Sequence, residues 1–276
     1  MLEADFVKSH GLGNDYIVVD AARFPIALTP ERVRLVCNRN LGVGSDGILE
    51  VSASDDRFFV RIWNPDGSEA ERSGNGLRIA AKFLAEHGYT QESVFVIETV
   101  AGPVRTEVFR ETGRVRAVRL EMGRAKVDRV VKHLLVAGRP LDVTVVSVGN
   151  PHCVVFGEPL TRERLFKIGP LIENHAKFPE RINVQLAAPD SRAAVRALIW
   201  ERGAGHTLAS GTSACAVAAA CRDRGLVDGR VAVVMEGGEL TVEVAEDLDI
   251  VMTGPVEEVA TGTLSPDLVA RLQEIQ

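Results

Sequence analysis

Two serines, Ser73 and Ser210, each stand immediately before a glycine that opens a long segment rich in helix formers, GNGLRIAAKFLAEHG and GTSACAVAAACRDRG. At such a turn the first backbone N–H groups lack helical partners and the positive end of the helix dipole is exposed, so a small carboxylate is a natural ligand. Two hydroxyls on either side of one bound anion have the arrangement needed to remove a proton from one face of a carbon and return it to the other. The plainer reading makes both serines helix caps and nothing more. For a lone example that reading is favoured; here the two turns are related by a repeat.

Residues 60–88, VRIWNPDGSEAERSGNGLRIAAKFLAEHG, align without a gap on residues 197–225, ALIWERGAGHTLASGTSACAVAAACRDRG. Ile62 and Trp63 fall on Ile199 and Trp200, Ser73 and Gly74 on Ser210 and Gly211, and Gly88 on Gly225. The chain has two tryptophans, and both take part. Upstream, GLGNDYIVVD sets Asn14 against Asn150 of SVGNPHCVVF at nearly the same offset. A duplication of half the chain constrains the architecture more than any single motif.

Each half reads as strands around one main helix. YIVVD, FFVRIW, VFVIETV and VRAVRLEM mark strands in the first, and TVVSV, HCVVF, RINVQLA, AVRALIW, VAVVM and LDIVM in the second. The long helices that follow Ser73 and Ser210 should stop at Gly88 and Gly225, residues suited to a left-handed C′ position. Shorter helices are expected from Thr29 with Pro30, from Thr161, and from Ser265 with Pro266. The predicted fold is α+β: two pseudo-symmetric halves, each a strand-rich layer wrapped around a central helix, with a ligand expected in the cleft between them. The halves are placed at residues 1–122 and 123–262, and the C-terminal helix, 263–276, is expected to pack back on the first.

Composition narrows the classes of function. The 276 residues are 46% apolar and 25% charged, and 32 basic against 38 acidic residues leave a formal charge of −6. That balance suits a folded protein and disfavours nucleic acid as the main partner. The N-terminal residues lack a basic stretch followed by an apolar run, and no segment approaches about 18 consecutive apolar residues, so secretion and membrane spanning are disfavoured and a cytoplasmic location is expected. Cys37, Cys153, Cys215 and Cys221 form no CxxC pair and read as buried thiols. No nucleotide fingerprint, Walker lysine or metal-ligand cluster is visible, so no metal, nucleotide or pyridoxal cofactor is implied.

HGLGNDYIVVD, GVGSDGIL, NPDGSEAERSGNGLRIAAKFL, VGNPHCVVF, FPERINVQ and ERGAGHTLASGTSACA resemble, in order and over nearly the whole chain, the successive blocks of the diaminopimelate epimerase family. That family belongs with proline racemase and other cofactor-independent epimerases. The resemblance implies a homodimer of two-domain subunits that interconverts LL- and meso-diaminopimelate, a small amino-acid substrate, on the way to lysine and peptidoglycan. It implies that Asn14, Asn64, Asn150 and Asn183 line the substrate pocket. Gly74 with Asn75, and Gly211 with Thr212, match the turns that grip the α-carboxylate. Glu201 and Arg202 match the block at the distal end of the substrate or beside the reacting centre, and His152 matches a histidine beside one catalytic residue.

One departure bears on the chemistry. The family's two acid/base residues are cysteines, and this chain has Ser73 and Ser210 at the matching positions. A thiol ionises near pH 8.5 and an alcohol roughly five units higher, so the alkoxide costs on the order of 7 kcal/mol more to form. Three readings follow. A serine-bearing epimerase could activate its hydroxyls through a neighbouring base, with His152, Glu201 and the repeat-related pair Glu69 and His206 as candidates, although Glu69 and His206 read more simply as exposed loop residues. Alternatively the fold performs a thiol-free isomerisation or dehydration on another small amino acid, or it binds an amino acid without turning it over. An engineered pair of cysteine-to-serine changes gives the same text. Gly47, in GVGSDGIL, stands where some relatives place a side-chain contact to substrate.

Overall fold

The computed structural model describes residues 4–54 and 57–275. The ends of the expected spans, Met1 and Gln276, lie outside the described residues, as do residues 55 and 56 inside the first. Two compact units emerge: residues up to Leu120 together with those from Pro255 onward, and Glu121–Gly254.

The first unit contains β1 (Asp5–Gly11), β2 (Asn14–Asp20), α1 (Pro30–Cys37), β3 (Ile48–Ser54), β4 (Arg57–Trp63), β5 (Glu69–Ala70), α2 (Gly74–Glu86), β6 (Val94–Thr99) and β7 (Gly102–Glu111), and β8 (Arg114–Arg124) begins in it. The second contains β9 (Lys126–Asp128), β10 (His133–Val136), β11 (Arg139–Ser147), β12 (Pro151–Phe156), α3 (Arg162–Glu173), β13 (Asn183–Ser191), β14 (Ala194–Glu201) and β15 (Gly205–Thr207). It continues through α4 (Gly211–Asp223), β16 (Arg230–Met235) and β17 (Gly238–Val244) into β18 (Asp249–Pro255). β19 (Glu257–Thr263) and α5 (Pro266–Glu274) complete the first unit.

The two units repeat one pairing pattern. β2 pairs in parallel with β3 and β4 with β6, while β3–β4, β4–β5, β6–β7 and β7–β8 are antiparallel. In the second unit β12–β13 and β14–β16 are parallel, and β13–β14, β14–β15, β16–β17 and β17–β18 are antiparallel. A parallel pair cannot be joined by a tight turn; its connection must cross over the sheet, usually as a helix. α2 and α4 supply the crossovers from β4 to β6 and from β14 to β16, and this topology sets Ser73 and Ser210 at equivalent places.

Both central helices are buried around their whole circumference: Gly74–Ala85 in α2 and Gly211–Cys221 in α4. Alanine, glycine, serine and cysteine dominate α4, and their small side chains let strands approach from every side. The expected caps are present. Thr29, Thr161 and Ser265 each accept a hydrogen bond from the backbone N–H three residues on, and Gly88 (φ +84°) and Gly225 (φ +68°) take the left-handed conformation after α2 and α4.

Both boundaries between the units fall earlier than the sequence expectation, the first at Leu120 instead of residue 122 and the second at Gly254 instead of residue 262. The return to the first unit starts at Pro255, not at residue 263, because β19 pairs antiparallel with β1, from Asp5 opposite Thr263 to His10 opposite Glu257. Leu264 and Leu272 then enter the core formed by Ile17, Val33, Val36, Ile48 and Trp63. In the second unit β9 plays the corresponding part, pairing with β11.

Candidate active site

In the first unit Ser73 is the N-cap of α2; its Oγ accepts from Gly76 N–H at 3.0 Å and lies 3.2 Å from the Tyr16 hydroxyl. Behind it runs a chain of donors with one polarity. The buried Arg78 guanidinium donates to Asn75 Oδ1 (2.9 Å) and to the Gly74 carbonyl (3.1 Å). Asn75 Nδ2 donates to Asn14 Oδ1 (3.0 Å), and Asn14 Nδ2 to Asp46 Oδ2 (3.0 Å). A guanidinium only donates and a carboxylate only accepts, so the two ends of the chain determine which way both amides point. Burial pushes the Asp46 carboxyl up, whereas Lys8 and Arg39 more than offset the burial of Asp15 beside it and hold that carboxyl low. Asn64, following β4, is tied into its own turn: its N–H and Nδ2 both donate to Ser68 (2.8 and 3.0 Å).

In the second unit Ser210 caps α4, is 5% exposed, and sits 3.5 Å from both Ser213 N and the Thr212 hydroxyl. Asn150 Nδ2 reaches Thr212 Oγ1 at 3.5 Å, and Asn150 Oδ1 lies 2.8 Å from His152 Nε2. Gln185 Nε2 donates to His152 Nδ1 (3.0 Å) and to Ser213 Oγ (2.9 Å). Because an amide NH₂ can only donate, Nδ1 is the acceptor, and Nε2 carries the hydrogen directed at Asn150. His152 is fully buried; burial, with a smaller contribution from Arg202, outweighs the Gln185 bond and pushes its pKa down to about 3. The imidazole is therefore neutral, and its one lone pair is already engaged.

Asn183 Nδ2 donates to the Pro151 carbonyl (2.9 Å) and its Oδ1 accepts from Arg202 N–H (2.9 Å); the Arg202 side chain donates to the Glu180 carbonyl (3.1 Å). Glu201 ends β14, and its carbonyl accepts from Ala204 N–H (3.2 Å). Glu69 and His206 lie on the short strands β5 and β15, where Glu69 forms an ion pair with Arg61 (2.5 Å) and His206 Nε2 lies 2.5 Å from a Glu236 carboxylate oxygen. All four cysteines are buried, and burial pushes the Cys153 and Cys221 thiols up to about 12.

The sequence model of the diaminopimelate epimerase family matches residues 6–127 and 144–259. The chain belongs to that family. Curated diaminopimelate epimerases are similar throughout: one from Nostoc sp. is 39% identical, with 96% of this chain and 97% of its own length covered, and one from Moorella thermoacetica is 40% identical, with 95% and 99% covered. Among solved structures, a hydroxyproline epimerase from Agrobacterium vitis has the same fold at a TM-score of 0.74 and 16% identity, covering 96% of this chain and 91% of that one. A phenazine biosynthesis protein from Bacillus anthracis matches at 0.72 and 17%, covering 96% and 100%. Structural likeness at such low identity speaks to the α+β fold alone.

Within this member of the epimerase family, three residues around the serines escape a reading by motif. Arg78 lies unremarked in the segment read as a central helix, and Gln185 and Tyr16 lie within the runs RINVQLA and YIVVD, read only as strands. For Gln185 the available signal is a polar residue inside the apolar run NVQLA; on a strand buried on both faces such a residue must find hydrogen-bond partners.

Proposed function

We propose that this protein interconverts LL- and meso-diaminopimelate by proton transfer at Cα, with Ser73 and Ser210 in the two acid/base positions and no pyridoxal or metal cofactor. The observation that carries the reading is the matched pair of helix starts, each opening with a serine on a fully buried helix. In this account Gly74 with Asn75 and Gly211 with Thr212 offer backbone N–H groups to the α-carboxylate and to charge developing at Cα. Asn14, Asn64, Asn150, Asn183, Glu201 and Arg202 orient the substrate, and fixed orientation removes part of the barrier otherwise set by entropy. His152 serves by holding the Asn150 amide rather than by accepting a proton. The product would serve lysine and peptidoglycan synthesis in the cytoplasm, and the working form would be a homodimer, which light scattering at micromolar concentration checks directly.

Incubation with LL-diaminopimelate in D₂O, followed by proton NMR, tests the reading. Slow loss of the α-proton signal is expected. The double variant S73C/S210C should accelerate it by at least roughly 100-fold, since a thiol forms its anion far more readily than an alcohol. If the double variant binds the amino acid yet leaves the α-proton in place, the epimerase reading fails and a binding protein or a different reaction on another amino acid replaces it.

A further inference from the structure

Ser73 and Ser210 share a cap geometry but not a chemical neighbourhood. Around Ser210 Oγ the contacts are the Thr212 hydroxyl and the Ser213 N–H, both at 3.5 Å. Ser73 Oγ instead has the Tyr16 phenol at 3.2 Å in addition to the Gly76 N–H at 3.0 Å. In the repeat that sets Asn14 against Asn150, Tyr16 falls on His152. One half thus carries a phenol where the other carries an imidazole. The imidazole is buried neutral and reaches Ser210 through intermediaries, by Asn150 and Thr212 on one side and by Gln185 and Ser213 on the other, whereas the phenol touches Ser73 directly.

Gly47 makes room for that contact. A Cβ at residue 47 would lie 2.6 Å from Tyr16 Cε1 and 2.3 Å from the Trp63 carbonyl oxygen, so no side chain fits there while the Tyr16 ring keeps its place. The ring is buried on β2, which pins its hydroxyl beside the α2 cap. Gly47 thus accommodates both the Trp63 carbonyl and the ring that carries the phenol to Ser73.

We propose that Tyr16 is the positioning residue that activates Ser73, exchanging a proton with its hydroxyl while that oxygen takes or returns the substrate α-proton; this rests on the epimerase reading above. Once the Tyr16 phenol has given up its proton to water, Ser73 Oγ takes the proton from Cα as its own hydrogen passes to the phenolate oxygen. The C–H electron pair stays on the substrate, spread toward its carboxylate. One negative charge moves from phenolate to substrate, and the reverse passage delivers a proton to Cα. A phenol ionises near pH 10, well below an alcohol, so the relay replaces a costly alkoxide with a more accessible anion.

The chain has two tyrosines, and the other, Tyr89, is bonded to Asp20 (2.5 Å). In Y89F, growth on 3-fluorotyrosine therefore labels residue 16 alone. With LL-diaminopimelate in D₂O, Y16F should lower kcat for α-proton exchange roughly 100-fold with little change in KM, the range usual for loss of one acid/base partner. Exchange should rise with pH along the phenol ionisation, and fluorination should shift that limb to lower pH relative to unlabelled Y89F. Exchange by Y16F within about twofold of the parent, or a limb that ignores fluorination, overturns the proposal. If the parent shows no exchange, the epimerase reading falls for the serine form, and the fluorine NMR titration of residue 16 decides the relay separately. A midpoint that moves on S73A supports proton coupling between the two hydroxyls; an unmoved midpoint overturns it.

Discussion

His152 shows how a residue type acquires its role from its surroundings. In sequence it is a candidate base; folded, it is fully buried, accepts from Gln185 and donates to Asn150. Its proton affinity is depressed from 6.5 to about 3, chiefly by burial. The unfolded chain therefore binds this proton first as pH falls. The contribution of the neutral imidazole to stability is complete above pH 6.5 and is lost as pH drops toward 3. While only the unfolded state is protonated, this one group lowers unfolding free energy by about 1.4 kcal/mol per pH unit. Urea titrations at a series of pH values should show that slope in the parent and a shallower one in His152→Gln. The family's blocks single out the asparagines as candidates for the substrate pocket. The direction of their amides was not legible, because it is set by Arg78 and Asp46, which lie three residues and 32 residues from the amides they touch.

At the scale of elements, the helices were the most legible part. Thr29, Thr161, Ser265, Ser73 and Ser210 act on backbone groups three residues away, so their signal is local and survives in one dimension. The runs marked from sequence leave out β1, β3, β7, β10, β17 and β19, and the two- or three-residue β5, β9 and β15 exist by pairing with a strand already in place. The central helices also carry a testable packing claim. Ala218 in α4 is fully buried on a helix surrounded by strands, so Ala218→Leu should overpack the second unit and cost about 1–3 kcal/mol in chemical denaturation. Thr161→Ala, which removes only the cap of α3, should cost about 1 kcal/mol.

At the scale of the whole molecule, the chain's last residues belong with its first. β19 pairs with β1, Leu264 and Leu272 enter the same core as Ile17 and Trp63, and Arg32 donates to the carbonyls of Leu272 (2.9 Å) and Ile275 (2.9 Å). Truncation after Gly254 should leave β1 with an unpaired edge. Hydrogen exchange followed by mass spectrometry should then show lost protection across Phe6–His10, with β16 and β17 in the second unit far less affected. Equal loss in both units would mean that the C-terminal segment supports more than the first.

From one dimension came the duplication, the α+β class, the capped helices and the paired serines, because repeats, caps and periodicity are relations between residues close in sequence or at a fixed offset. Tertiary structure alone decided that the first unit is closed by β19, that His152 is a neutral donor, and that Tyr16 meets Ser73 beside Gly47. Each of these depends on burial or on a contact between distant segments, and neither quantity exists until the chain has folded.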